Sequence, residues 1–296
     1  MAAQPIGDTE AMAIDPGTRL GSVALTVADL DRSREFYERV IGLGVLDQAG
    51  STVRMGADGR APVVELVGDP EAPPRRRGTT GLFHLAILLP SRAELASALR
   101  RVVDAGWPLA GASDHLVSEA LYLEDPEGNG IEIYRDRPRD EWRRVDGQLQ
   151  MATLPLDLDS VLGELSATDG ESPHAPAGTR VGHVHLNVAD LAAAEEFYGG
   201  LLGFDVTVRD YPGALFLSAG GYHHHIGVNT WAGEGAPPAP PGSRGLRRFE
   251  IVVPSAAALA EVEQRLREAG LDPRAEDEGL RASDPSGNGI LLRSKH

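Results

Sequence analysis

Cysteine is absent from the 296-residue chain, which excludes disulfides, thiolate zinc sites, iron–sulfur clusters and a cysteine nucleophile together. Any metal must therefore be held by histidine and carboxylate. Aromatic residues are scarce, at 5%. No apolar run approaches the roughly 18 residues of a membrane span. The start, MAAQPIGDTEAMAIDPG, lacks the basic and apolar regions of a secretory signal, so a cytoplasmic protein that does not engage membranes is expected. Basic residues are also in deficit: 28 Lys and Arg against 44 Asp and Glu leave a net charge of −16. A chain of that sign repels a polyanion, which argues against nucleic acid as a partner. What the chain has in quantity is apolar residues, 42%, enough for real cores in the roughly two domains its length predicts.

The chain is internally duplicated. VALTVADLDRSREFYERVIGLGV (23–45) recurs without a gap as VHLNVADLAAAEEFYGGLLGFDV (184–206), and LEDPEGNGIEI (123–133) recurs as ASDPSGNGILL (282–292). Each copy opens on an alternation such as Val184, Leu186 and Val188 against His183, His185 and Asn187, the pattern of a half-buried strand. Asp29 and Asp190 stand at N-cap positions ahead of amphipathic runs that end at Gly42 and Gly203. Segments 91–105 and 255–269 read as further helices, each preceded by an apolar strand, 82–89 or 246–253. Two or three strand-like stretches follow each helix, among them 51–55, 62–67, 213–218 and 224–229, so the unit is βαβββ and occurs four times.

This predicts an α+β protein with a mobile N-terminus (1–17), an N-terminal domain of units one and two (18–136), a connector (137–179) and a C-terminal domain of units three and four (180–296). The connector is polar and rich in Pro and Gly, with one short amphipathic piece from Leu156 to Leu165.

Four such units, with their DL…FY…LG helices and DPxGNG closing turns, resemble the vicinal-oxygen-chelate superfamily of glyoxalase I, fosfomycin and bleomycin resistance proteins and extradiol dioxygenases. The resemblance covers nearly all of 20–135 and 181–293 and implies curved sheets that form a cup around a divalent metal. Within it, SDHLVSEALYLEDPEGNGIE (113–132) is similar to the extradiol dioxygenase signature. His115, Leu121, Tyr122, Asp125, Pro126, Gly128 and Glu132 fall in register, while Ser113 departs from the Gly, Asn, Thr or aliphatic residue usual there.

The resemblance implies roles. Glu132, between Ile131 and Ile133, turns to the cup interior by strand alternation and is expected to be a metal carboxylate. His84 and His183 occupy the positions of the family's metal histidines; His185 shares the face of His183 and is its rival. Two histidines and one carboxylate leave coordination positions open and suit non-haem Fe(II), with Mn(II) as the other candidate. His224 stands where the family keeps an acid–base histidine, although alternation back from Gly227 favours His225. It is expected to titrate near its ordinary value of about 6.5. Tyr122 and His115 carry over as groups that hydrogen-bond substrate oxygens.

The implied reaction is extradiol ring cleavage in aromatic catabolism. A small aromatic diol and O2 would give a ring-opened semialdehyde, His224 moving the catechol proton and Tyr122 stabilising charge on oxygen. The alternatives are a glyoxalase-like isomerase or lyase, which needs a fourth ligand, and a metal-free binding or resistance protein. Self-association is open. Pocket walls are expected from loops near 47–60, 107–120 and 208–216.

The ligand positions also bear on architecture. The equivalents in unit four are Arg248 and Leu291, and unit one offers Ser22 and Glu65. Only a pairing of unit two with unit three assembles His84, Glu132 and His183, leaving one with four as an inactive cup.

Overall fold

The computed structural model describes residues 13–57, 59, 61–145, 148–165, 173–276 and 279–295. Unit one comprises β1 (Arg19–Val27), α1 (Leu30–Phe36), β2 (Gly44–Ala49), β3 (Thr52–Gly56) and β4 (Val64–Gly68). Unit two comprises β5 (Gly81–Leu89), α2 (Arg92–Asp104), β6 (Gly111–Asp114), β7 (Ser118–Glu124) and β8 (Gly130–Asp136). Between the halves lie β9 (Arg144–Val145), β10 (Gln148–Leu149), β11 (Leu154–Pro155) and α3 (Leu158–Leu162). Unit three comprises β12 (Arg180–Asn187), α4 (Leu191–Glu195), β13 (Asp205–Val208), β14 (Ala214–Ser218) and β15 (Ile226–Asn229). Unit four comprises β16 (Gly245–Val253), α5 (Ala256–Glu268), β17 (Arg274–Glu276), β18 (Gly279–Ser283) and β19 (Gly289–Ser294). The expected α+β fold of four βαβββ units is what the chain forms.

The helix signals act as their chemistry requires. The Asp29 carboxylate accepts the Arg32 N–H at 3.0 Å, and Asp190 accepts those of Ala192 and Ala193 at 2.7 and 3.0 Å. Both helices run on as one π-helical turn, Tyr37–Ile41 and Glu196–Leu201, before Gly42 and Gly203 end them at φ 87° and 88°. These turns drive Tyr37 and Tyr198 inward to donate to Asp125 (3.2 Å) and Asp284 (2.9 Å) of the DPxGNG turns. Asp125 also accepts the Glu127 and Asn129 N–H groups and the Asn129 amide; Asp284 does the same with Ser286 and Asn288. The two repeated motifs are thus halves of one device, a tyrosine clamped on a turn, linking unit one to two and three to four.

The sheets supply the other links. One runs β17-β18-β19-β16-β1-β4-β3-β2 and the other β11-β6-β7-β8-β5-β12-β15-β14-β13. Antiparallel pairing of β1 with β16 joins units one and four, and of β5 with β12 joins two and three. Each sheet draws on both halves of the chain, and two clamps alternate with two sheet seams around the four units. A continuous apolar core includes Leu25, Leu66 and Phe249 of the first sheet and Leu85, Ile133 and Leu186 of the second. Among the described residues no helix is long and apolar enough to cross a membrane.

Two segments differ from expectation. Of the N-terminus expected to be mobile, residues 1–12 lie outside the described residues, whereas Ile14 is buried and its N–H bonds the Gly203 carbonyl at 2.8 Å. The connector is more than a tether, because β11 adds to the sheet edge against β6 and α3 buries Val161. Arg92 of α2 holds α3 through the Ser160 carbonyl (3.0 Å) and Glu164 (2.8 Å).

Candidate metal centre

In the second sheet β5 lies between β8 and β12, with Ala86 opposite both Glu132 and His183, and His84 opposite His185. A bulge at Gly182 resets the β12 register, so that His183 shares the inner face with His84. Glycine is required there: a Cβ would overlap Tyr134 Oη and lie 2.7 Å from Tyr134 Cζ.

The result is a close convergence. Glu132 Oε2 lies 3.0 Å from both His84 Nε2 and His183 Nε2, and the two nitrogens are 3.3 Å apart. Ligands bound at about 2.1 Å and at right angles are about 3.0 Å apart, so this donor set fits one first-row divalent ion. Among the described residues no other trio of His, Cys, Asp or Glu converges in this way. Burial pushes the Glu132 carboxyl up, but His183 and His84 reverse this and leave it well below its ordinary value. Burial first, against the pull of Glu132, lowers His183 to about 4. An anionic carboxylate and a neutral imidazole are the forms a metal takes.

The trio opens onto a cavity of about 350 Å³. His185, the rival ligand, lines that cavity outside the trio, packed between Phe83 and Trp231 with ring centroids 5.2 and 5.3 Å away. His224 also lines it, its ring 4.0 Å from that of His183, while His225 turns away and accepts the Ala219 N–H on Nδ1. Simple alternation fails there because β15 begins only at Ile226 and the residues before it form an irregular turn. The expectation that His224 titrates near its ordinary value is not met: burial first, then His183 and His223, hold it well below.

His115 and Tyr122 line the same cavity, Tyr122 beside Glu132 on the neighbouring strand. The Ala152 carbonyl, 2.7 Å from His115 Nδ1, can only accept, so in the neutral ring Nε2 accepts the Tyr122 hydroxyl, also at 2.7 Å. Burial, then the nearby Glu132 carboxylate, raises the Tyr122 phenol well above its ordinary value and keeps it a donor.

Several walls come from segments that the sequence pattern does not mark. Met151, Ala152 and Thr153 of the connector line the cavity, with Thr153 Oγ1 3.0 Å from Tyr211 Oη. Phe83, Tyr211, Phe216 and Trp231 make the remainder aromatic. Of the three loops expected to form the pocket, 107–120 and 208–216 contribute, but 47–60 lies on the edge of the other sheet. The usable sequence signal was the clustering of scarce aromatics in units two and three, outside the FY motifs. No Lys or Arg is among the described residues lining the cavity.

The first sheet has the same scaffold with different chemistry. There Glu65 meets Arg54 (3.2 Å) and Arg248 (3.3 Å), and Glu250 meets Arg293 (3.0 Å) and the Ser22 N–H (3.0 Å). Its inner face is closed by these ion pairs.

Comparison with known proteins agrees with this architecture. The family model of the Glyoxalase/Bleomycin resistance protein/Dioxygenase superfamily matches residues 19–133 and 180–292. The chain is 44% identical over 276 residues to catechol-2,3-dioxygenase of Bacillus subtilis (strain 168), covering 92% of this chain and 95% of that protein. It is 28% identical over 193 residues to biphenyl-2,3-diol 1,2-dioxygenase 3 of Rhodococcus globerulus, covering 64% and 88% respectively. A crystal structure from Bacillus subtilis subsp. subtilis str. 168 superposes with a TM-score of 0.66 at 12% identity, covering 96% of this chain and 85% of the other, a likeness of fold alone.

Proposed function

Since the chain belongs to the Glyoxalase/Bleomycin resistance protein/Dioxygenase superfamily and is a catechol 2,3-dioxygenase-like enzyme, we propose that it cleaves catechols extradiol at a non-haem Fe(II) centre held by His84, His183 and Glu132. The observation that carries this reading is the convergence of three donor atoms at the base of an aromatic cavity. Bound there, Fe(II) would supply a template for diol and O2 and a path for electrons between them. Mn(II) suits the same donors.

The chain's own residues have distinct tasks. Phe83, Phe216 and Trp231 present aromatic surface to a planar ring and keep water from it. Neutral His224 can take a proton from a catechol hydroxyl and return it to the product. Tyr122, kept protonated, can turn its one hydroxyl proton from His115 Nε2 to oxygen that gains charge. With Glu124 on the lining and no Lys or Arg there to pair with a carboxylate, the cavity favours diols with neutral, apolar substituents over carboxylated ones.

What argues against an isomerase that needs a fourth protein ligand is the corresponding position on β15, Gly227, where a Cβ would lie 3.0 Å from the His185 ring. The test is oxygen uptake by anaerobically Fe(II)-loaded protein given a panel of catechols. Uptake with a ring-opened product, lost in Glu132→Ala and His183→Ala, is the expected result. Metal-replete protein that consumes no oxygen with any catechol would refute it.

A further inference from the structure

His224 is backed by two groups that the reaction scheme leaves unused. His223, 0% exposed, places its Nδ1 2.8 Å from His224 Nδ1 and its Nε2 2.9 Å from Asp136 Oδ1. Asp136 ends β8 and shares the face of Glu132 and Tyr134 by alternation; its side chain is 25% exposed. The Tyr222 hydroxyl donates to the same Asp136 oxygen at 3.1 Å and lies 2.7 Å from Tyr134 Oη. Thr207 Oγ1 donates to the His223 carbonyl at 2.7 Å, and the Trp142 ring packs 5.4 Å from the His223 ring. The arrangement is held from both units that form the site.

Hydrogen-bond direction along this chain is determined by its end. A carboxylate only accepts, so His223 carries its proton on Nε2 and, as a neutral ring, accepts at Nδ1. His224 must then donate from Nδ1, which leaves Nε2 as a bare lone pair on the ring edge available to the cavity. We propose that Asp136 and His223 are positioning residues that hold His224 in the Nδ1–H tautomer, presenting Nε2 to the substrate hydroxyl as a base. This rests on the assignment of His224 as the acid–base group. It gives a reason for consecutive histidines, since one performs the transfer and the other relays a carboxylate's polarity to it across the seam between units two and three.

The test is nitrogen NMR on full-length, 15N-histidine-labelled protein loaded with Zn(II) as a diamagnetic probe. The expected spectrum has His224 protonated at Nδ1, bare at Nε2, and coupled across the hydrogen bond to His223 Nδ1. Asp136→Ala should mix the two His224 tautomers and lower kcat of the Fe(II) enzyme about 10–100-fold, with KM and metal stoichiometry within about twofold of wild type. Asp136→Asn retains an accepting oxygen and should retain the tautomer and most of the turnover. A wild-type His224 protonated at Nε2 would overturn the proposal, and needs no variant to observe. So would an Asp136→Ala protein with unchanged tautomer and kcat. Full turnover in His224→Phe would refute the acid–base assignment itself, whereas the tautomer is read without turnover; the two failures are therefore distinguishable.

Discussion

Replacing Gly182 by alanine tests the link between fold and site at its tightest point. The new methyl would overlap Tyr134 Oη and sit 2.7 Å from Cζ and 3.0 Å from Leu88 Cβ. Tyr134 is 0% exposed, and its hydroxyl is 2.7 Å from that of Tyr222, so it cannot swing away freely. Overpacking of this kind costs about 1–3 kcal/mol, and stranding a buried hydroxyl adds about 1–3 kcal/mol. A loss of about 2–6 kcal/mol in urea unfolding is expected. Because His183 is the next residue, the shifted bulge should also weaken metal binding. In the Gly182→Ala, Tyr134→Phe double variant the overlapping oxygen is gone, and a double-mutant cycle should return a favourable coupling of about 1–2 kcal/mol. Gly21, at the matching place in the first sheet, faces Glu250 in the same way. Gly21→Ala should therefore lower stability yet leave metal content unchanged. A Gly182→Ala protein within about 0.5 kcal/mol of wild type, or a strictly additive cycle, would refute the reasoning.

Other outcomes follow from single contacts. His183→Ala should lose metal by elemental analysis while His185→Ala retains it, because only His183 is in the convergent trio. Tyr37→Phe should cost about 1–2 kcal/mol in urea unfolding, since it removes a buried donor to Asp125, with little change in turnover. Met151→Ala opens the connector wall and should raise kcat/KM for a bulky apolar catechol relative to catechol itself by about tenfold, measured by competition. Burial raises the Asp114 carboxyl, but the Leu116 N–H and Arg137 together leave it below its ordinary value. Its stabilising contribution is therefore present above the unfolded value of about 3.9 and lost as pH falls through the lower folded value. Asp114→Asn should be less stable than wild type at pH 7 in unfolding titrations, and the gap should close in acid.

Much of the molecule was legible in the chain because the relevant forces act over a few residues. Alternation placed His84, His183 and Glu132 on one strand face, Asp29 and Asp190 marked helix starts, and the turns made by Asp125 and Asp284 close within four residues. The duplication then turned one such reading into four, and ligand positions alone pointed to the pairing of unit two with three that the β5–β12 seam makes.

Tertiary structure decided what depends on contacts between distant segments. The connector is polar by composition, yet β11 joins the sheet and Ala152 bonds His115 37 residues away; Thr153 reaches Tyr211 58 residues away. His224 rather than His225 reaches the cavity because the turn before β15 breaks the alternation. The Asp136–His223 contact spans 87 residues. Periodicity carries no information about such pairs: a side chain's face is set by its own strand, whereas its partner is set by which strands the sheet brings alongside.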